Sequence, residues 1–167
     1  MHRTLDEGAI QRTAEIIVLG PGGAGNREFL QAFCPDLRQG CGDLLLGSLT
    51  VHRELVLYCY SIGFGQEFAW DLVGGKILGY IAHFDWFDGA SYNACRDLVN
   101  DTSSDFTAPF VVAADLGLQP PPVVESAIKL DIALSPSARF LFFQKHKPAS
   151  VRRVVITLLD LLLEKLE

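Results

Sequence analysis

At 167 residues the chain has the length of one ordinary domain, long enough to bury roughly 70% of the surface that its unfolded form exposes. A composition of 49% hydrophobic and 20% charged residues with 15 glycines excludes a disordered segment, a fibre and a disulfide scaffold. The 14 Lys and Arg against 20 Asp and Glu leave a formal charge of -6, which gives no electrostatic case for a nucleic-acid partner.

Four cysteines, Cys34, Cys41, Cys59 and Cys95, lack the close paired spacing of a zinc or thioredoxin-like site and are expected reduced and mostly buried. The opening residues MHRTLDEGAIQRTAE are too polar for a secretory signal. No run approaches the roughly eighteen consecutive apolar residues of a membrane span, so a cytoplasmic location is the expectation. Residues 1–14 read as a polar tail and 15–167 as a single domain.

Apolar runs rich in branched and aromatic residues begin at Ile16, Leu44, Leu55, Ile77, Phe110 and Phe140, and they predict about six strands. Their near-continuous hydrophobicity suits a mostly parallel, doubly covered sheet. Between them Glu28–Phe33, Gln66–Val73, Ala90–Asn100, Pro122–Leu134 and Ala149–Leu166 are expected to be helical. The runs at Leu44 and Leu55 are separated only by the polar VHRE turn, which predicts one antiparallel hairpin at an edge. The expected architecture is a three-layer α/β sandwich.

In the last helix Ser150 is the expected N-cap, and Val151, Val154, Val155, Leu158, Leu159, Leu162 and Leu166 form one stripe. Ile156, Leu161 and Leu163 widen the apolar arc beyond what covering a sheet requires. The helix is therefore deeply docked, or its flank meets another molecule.

After the first strand comes Gly20-Pro21-Gly22-Gly23-Ala24-Gly25-Asn26-Arg27-Glu28-Phe29. A strand, a glycine-rich turn and a helix aim successive amides and a helix dipole at one concavity, which suits phosphate. Gly20 and Gly25 keep the glycine spacing of a phosphate loop, but Asn26 stands where its lysine belongs and Arg27 where its magnesium-binding hydroxyl belongs. Glu28 adds a negative charge beside the pocket.

Over roughly Glu15 to Leu163 the chain resembles the small Ras-like GTPases of bacteria and archaea, in the branch of the gliding-motility polarity GTPase. GPGGAGNREF is similar to the GP-x-GAGKTTF loop, and Gly65-Gln66-Glu67-Phe68 to the TPGQERF-type switch motif. Pro109 to Leu118 is similar to the base-recognition strand, with Asp115 for Asn, Leu116 for Lys and Leu118 for the guanine-reading Asp. Ile62 takes the place where many relatives carry the magnesium-linked Asp, and Gln144-Lys145-His146-Lys147 departs from the usual last loop. The resemblance implies a P-loop, Ras-like fold.

Asn26, Arg27, Ile62 and Leu118 together remove the cation, the hydroxyl and both carboxylates on which phosphoryl transfer and guanine recognition rest. The expectation is a pseudo-GTPase with no catalytic residues and no metal, acting as a protein-binding module. Gly20, Gly22, Gly23, Gly25, Asn26 and Arg27 form its vestigial loop, with at most a weak nucleotide or phosphate as ligand. The alternative is a divergent nucleotide switch or slow NTPase that uses Arg27 and Lys145 or Lys147. Phe64, Gln66, Phe68, Trp70, Trp86 and Phe87 are the expected partner contacts, since aromatic residues at such edges anchor interfaces; the alternative is a self-covered pocket with Phe64 or Trp70 folded into the empty nucleotide cleft. The resemblance implies a roadblock-type regulatory partner or a second copy of the chain. His52, His83 and His146 have no ligand spacing, and Cys59 reads as a buried small side chain within a strand.

Overall fold

The computed structural model describes residues 12–40, 42, 44–65, 77–102, 108–120, 132, 134 and 136–166. Seven strands run β1 (Arg12–Gly20), β2 (Asp36–Gln39), β3 (Leu45–His52), β4 (Leu55–Gly63), β5 (Ile77–Asp85), β6 (Phe110–Asp115) and β7 (Ala138–Phe143). The helices are α1 (Gly23–Gln31), α2 (Gly89–Thr102) and α3 (Pro148–Leu166). The strands form one sheet in the order β2-β3-β4-β1-β5-β6-β7. From β4 to β7 neighbours are parallel. The β3–β4 hairpin and the β2–β3 pair are antiparallel.

The apolar runs fall on the strands because both faces of the sheet are covered. Ile16, Val18, Cys59, Ile81, Val111 and Ala113 point toward α1 and α3, where they meet Phe29, Leu30, Val154 and Leu158. Ile17, Leu19, Ile62, Ala82 and Val112 point the other way and pack with Cys95, Leu98 and Val99 of α2. These are the two cores of a three-layer α/β fold. Cys34, Cys59 and Cys95 are free and buried, while Cys41 lies outside the described residues.

Several expectations are corrected in detail. The sheet has seven strands rather than six, because β2 (DLRQ) pairs at the edge with mostly exposed, polar side chains and leaves no apolar run to find. The first strand begins at Arg12, inside the stretch read as a tail. Helix α1 begins at Gly23 rather than Glu28, so the end of the glycine run leads directly into its first turn. Ser150 lies inside α3, and its hydroxyl accepts the Gln144 amide at 2.8 Å, tying the preceding loop to the helix. Leu161 is buried, so it belongs to the core stripe of α3. The helix expected at Gln66–Val73 and most of that at Pro122–Leu134 lie outside the described residues.

Candidate functional site

In an open parallel sheet, ligands bind outside the carboxyl ends of the strands. Here that edge is formed by Gly20, Gly63, Asp85, Asp115 and Phe143, the last residues of β1, β4, β5, β6 and β7. The chain leaves β1 through Gly22 at φ 90° and Gly23 at φ 54°, in the left-handed region that favours glycine. This turn sets α1 over the end of β1. Gly20, Gly22, Gly23, Gly25 and Asn26 lie together at this turn.

Asn26 is the decisive residue. It lies in the second turn of α1, 0% exposed, and its Oδ1 accepts the Gly22 N–H at 3.1 Å. The loop is thereby closed on itself, with one of its amides satisfied by a side chain of its own helix. A Cβ on Gly20 would overlap Asn26 Oδ1 and His83 Nε2, so all three share one tightly filled volume. Asn26 Nδ2 and His83 Nε2 are buried and have no hydrogen-bond partner among the described residues.

His83, near the end of β5, has no ligand spacing in the sequence that would single it out. It is buried beneath the loop, stacked on Phe29 with ring centroids 4.4 Å apart and edge-on to Phe143 at 6.3 Å. Burial, with a further contribution from the Lys145 ammonium, lowers its pKa from 6.5 to about 3, so the imidazole is neutral. The available signal was a single polar residue near the end of the apolar run ILGYIAHF, in register with the end of β1.

Asp115 holds three segments together. Its carboxylate accepts the Gly117 and Lys145 amides, both at 3.0 Å, and its carbonyl accepts the Trp86 amide at 3.0 Å. The Lys145 ammonium stands 3.6 Å from Asp115 Oδ2 and 4.0 Å from Glu28 Oε2. A Cβ on Gly25 would come within 3.7 Å of that ammonium, so Lys145 lies over the start of α1. One cation thus faces two carboxylates, so the Lys145 charge is already matched.

Arg27 turns outward and donates to Gln39 Oε1 of β2 at 3.1 Å. Beside it, Gly23, Arg27, Gln39 and Leu45 line a notch of only about 90 Å³, well below the usual range of ligand pockets. Ile62 is fully buried in the α2-side core, and Leu118 is 83% exposed. Phe64 donates its amide to the Gly20 carbonyl at 2.8 Å and packs its ring on the α2 side. Trp86 is half-buried and T-shaped to Phe142 at 5.0 Å. Phe87 is 62% exposed, and Gln66, Phe68 and Trp70 lie outside the described residues. No helix among the described residues is long and apolar enough to cross a membrane.

The chain matches no protein-family model and no curated protein.

Proposed function

We propose that this chain is a Ras-like pseudo-GTPase, a domain that keeps a nucleotide-binding layout without its chemistry and acts as a protein-binding, regulatory module. The observation that carries this reading is the Asn26–Gly22 hydrogen bond, which turns a loop amide inward where a phosphate would need it outward. The group implied by the resemblance, a magnesium-bound guanine nucleotide, does not suit the residues present. Lysine is replaced by a buried carboxamide, Ile62 is sealed in the core, and Leu118 offers an exposed alkyl group where guanine needs a carboxylate. Each would remove an electrostatic contact worth on the order of 2–4 kcal/mol to phosphoryl transfer or binding. Exposed Phe87 supports an interaction surface at the same edge, with a roadblock-type regulator as the kind of partner that the resemblance implies.

One observation favours the second reading, a divergent nucleotide switch or slow NTPase: the Lys145 ammonium beside Gly25. Phosphate release from GTP and ATP in magnesium separates the two. The pseudo-GTPase reading expects no release above that of a heat-denatured control. Release that Lys145→Ala abolishes would establish the second reading instead.

A further inference from the structure

The side of α3 turned away from the sheet carries an apolar seam. Val151, Val154, Val155, Leu158 and Leu161 are buried against the sheet and, at 3.6 residues per turn, occupy one side of the helix. Opposite them stand Ile156, 54% exposed, and Leu163, 60% exposed. Ala149, Ile156 and Leu163 follow one another at seven-residue spacing, and half-buried Leu159 lies beside them. That is the spacing with which one helix seats on another. The flank of α3 nearer β7 is already engaged: Arg153 donates to the Phe142 carbonyl at 2.8 Å, and Glu164 pairs with Arg139 at 3.2 Å. Arg152 and Asp160, both exposed along the seam, have no ion pair among the described residues.

We propose that this seam is the contact surface for a second copy of the chain, with the two α3 helices packed antiparallel about a two-fold axis beside Ile156. In such a contact residue i meets j while j meets i. Arg152 and Asp160 lie four residues before and after Ile156. Antiparallel pairing therefore sets the unpaired cation of each copy opposite the unpaired anion of the other, twice over. Ala149 and Leu163 lie seven residues before and after Ile156, so each Leu163 falls over the small Ala149 of the other copy. Ile156 meets its own counterpart. Parallel pairing would instead oppose Arg152 to Arg152 and Asp160 to Asp160, which is repulsive. A self-complementary order of charge and size about one residue is what a second copy requires and a foreign partner does not. The seam spans about two heptads, less than a standard interface, so the dissociation constant is expected in the range of roughly tens to hundreds of micromolar.

Sedimentation equilibrium of the full chain between about 5 and 500 µM tests this. The expected result is a reversible monomer–dimer equilibrium, weakened at least about tenfold by Ile156→Asp, a change at an exposed position that leaves the thermal melt in place. Asp160→Arg also weakens association, and combining it with Arg152→Asp restores it. A monomer at every concentration would overturn the proposal, as would a dimer indifferent to Ile156→Asp. Failure of the charge exchange to restore association would overturn the antiparallel register.

Discussion

His83 gives the sharpest prediction for solution chemistry. Its imidazole is buried between Phe29 and Phe143, and its pKa falls from 6.5 to about 3, first through desolvation and second through the Lys145 charge. The folded state thus holds His83 neutral at a pH where the unfolded chain protonates it. Its contribution to stability is full above about pH 6.5 and drains as the pH falls toward about 3, where the folded state also takes up the proton. At pH 4.5 the unfolded state is favoured by two pH units of proton binding, about 2.7 kcal/mol at 1.36 kcal/mol per unit. Urea unfolding at pH 7.5 and 4.5, on the wild type and on His83→Gln, isolates this from the carboxylates common to both. The wild type should lose roughly 2–3 kcal/mol more than the variant over that interval. Equal losses, or a His83 ring resonance that titrates near pH 6.5 in the folded protein, would refute the buried, neutral assignment.

Other consequences follow from the same cluster. Lys145→Met removes a neighbouring positive charge and should move the His83 pKa upward, read from the imidazole resonance; no upward movement would remove the ammonium as a cause. Gly20→Ala drives a methyl group into Asn26 and His83 and should cost roughly 1–3 kcal/mol, lowering Tm by about 2–12 °C. A melt unchanged within a degree would mean that the volume is not filled as described. Asn26→Ala strips the Gly22 amide of its acceptor and should cost about 1–3 kcal/mol in denaturant unfolding; a neutral result would deny that this hydrogen bond closes the loop.

Much of the architecture is legible in the sequence because its strands are buried on both faces, so that IIVL, FVVAA and ILGYIAHF announce themselves without a periodicity argument. Edge strand β2 is not, since an edge covered by water selects Asp36, Arg38 and Gln39, residues that also suit a loop. The glycine loop is readable from Gly20 to Gly25, and so are its substitutions. What the substitutions do is not: nothing in the letter at position 26 says that the carboxamide folds back on Gly22. The partnership of Gly20, Asn26 and His83 joins residues 63 positions apart and depends on β1 lying beside β5. The direction of Arg27 is equally silent in the sequence: its place in the motif is plain, but the turn of α1 carries its side chain outward to Gln39.

On the proposed reading the loop is closed to nucleotide from within, by Asn26, and the Lys145 charge beside it is already matched by two carboxylates. Isothermal titration of the intact chain with GTP, GDP and ATP in excess magnesium tests it most directly. The account predicts no saturable heat for any of the three at ligand concentrations up to about a millimolar, equivalent to binding weaker than roughly 4 kcal/mol. A stoichiometric isotherm at micromolar or tighter affinity for any of them would contradict it.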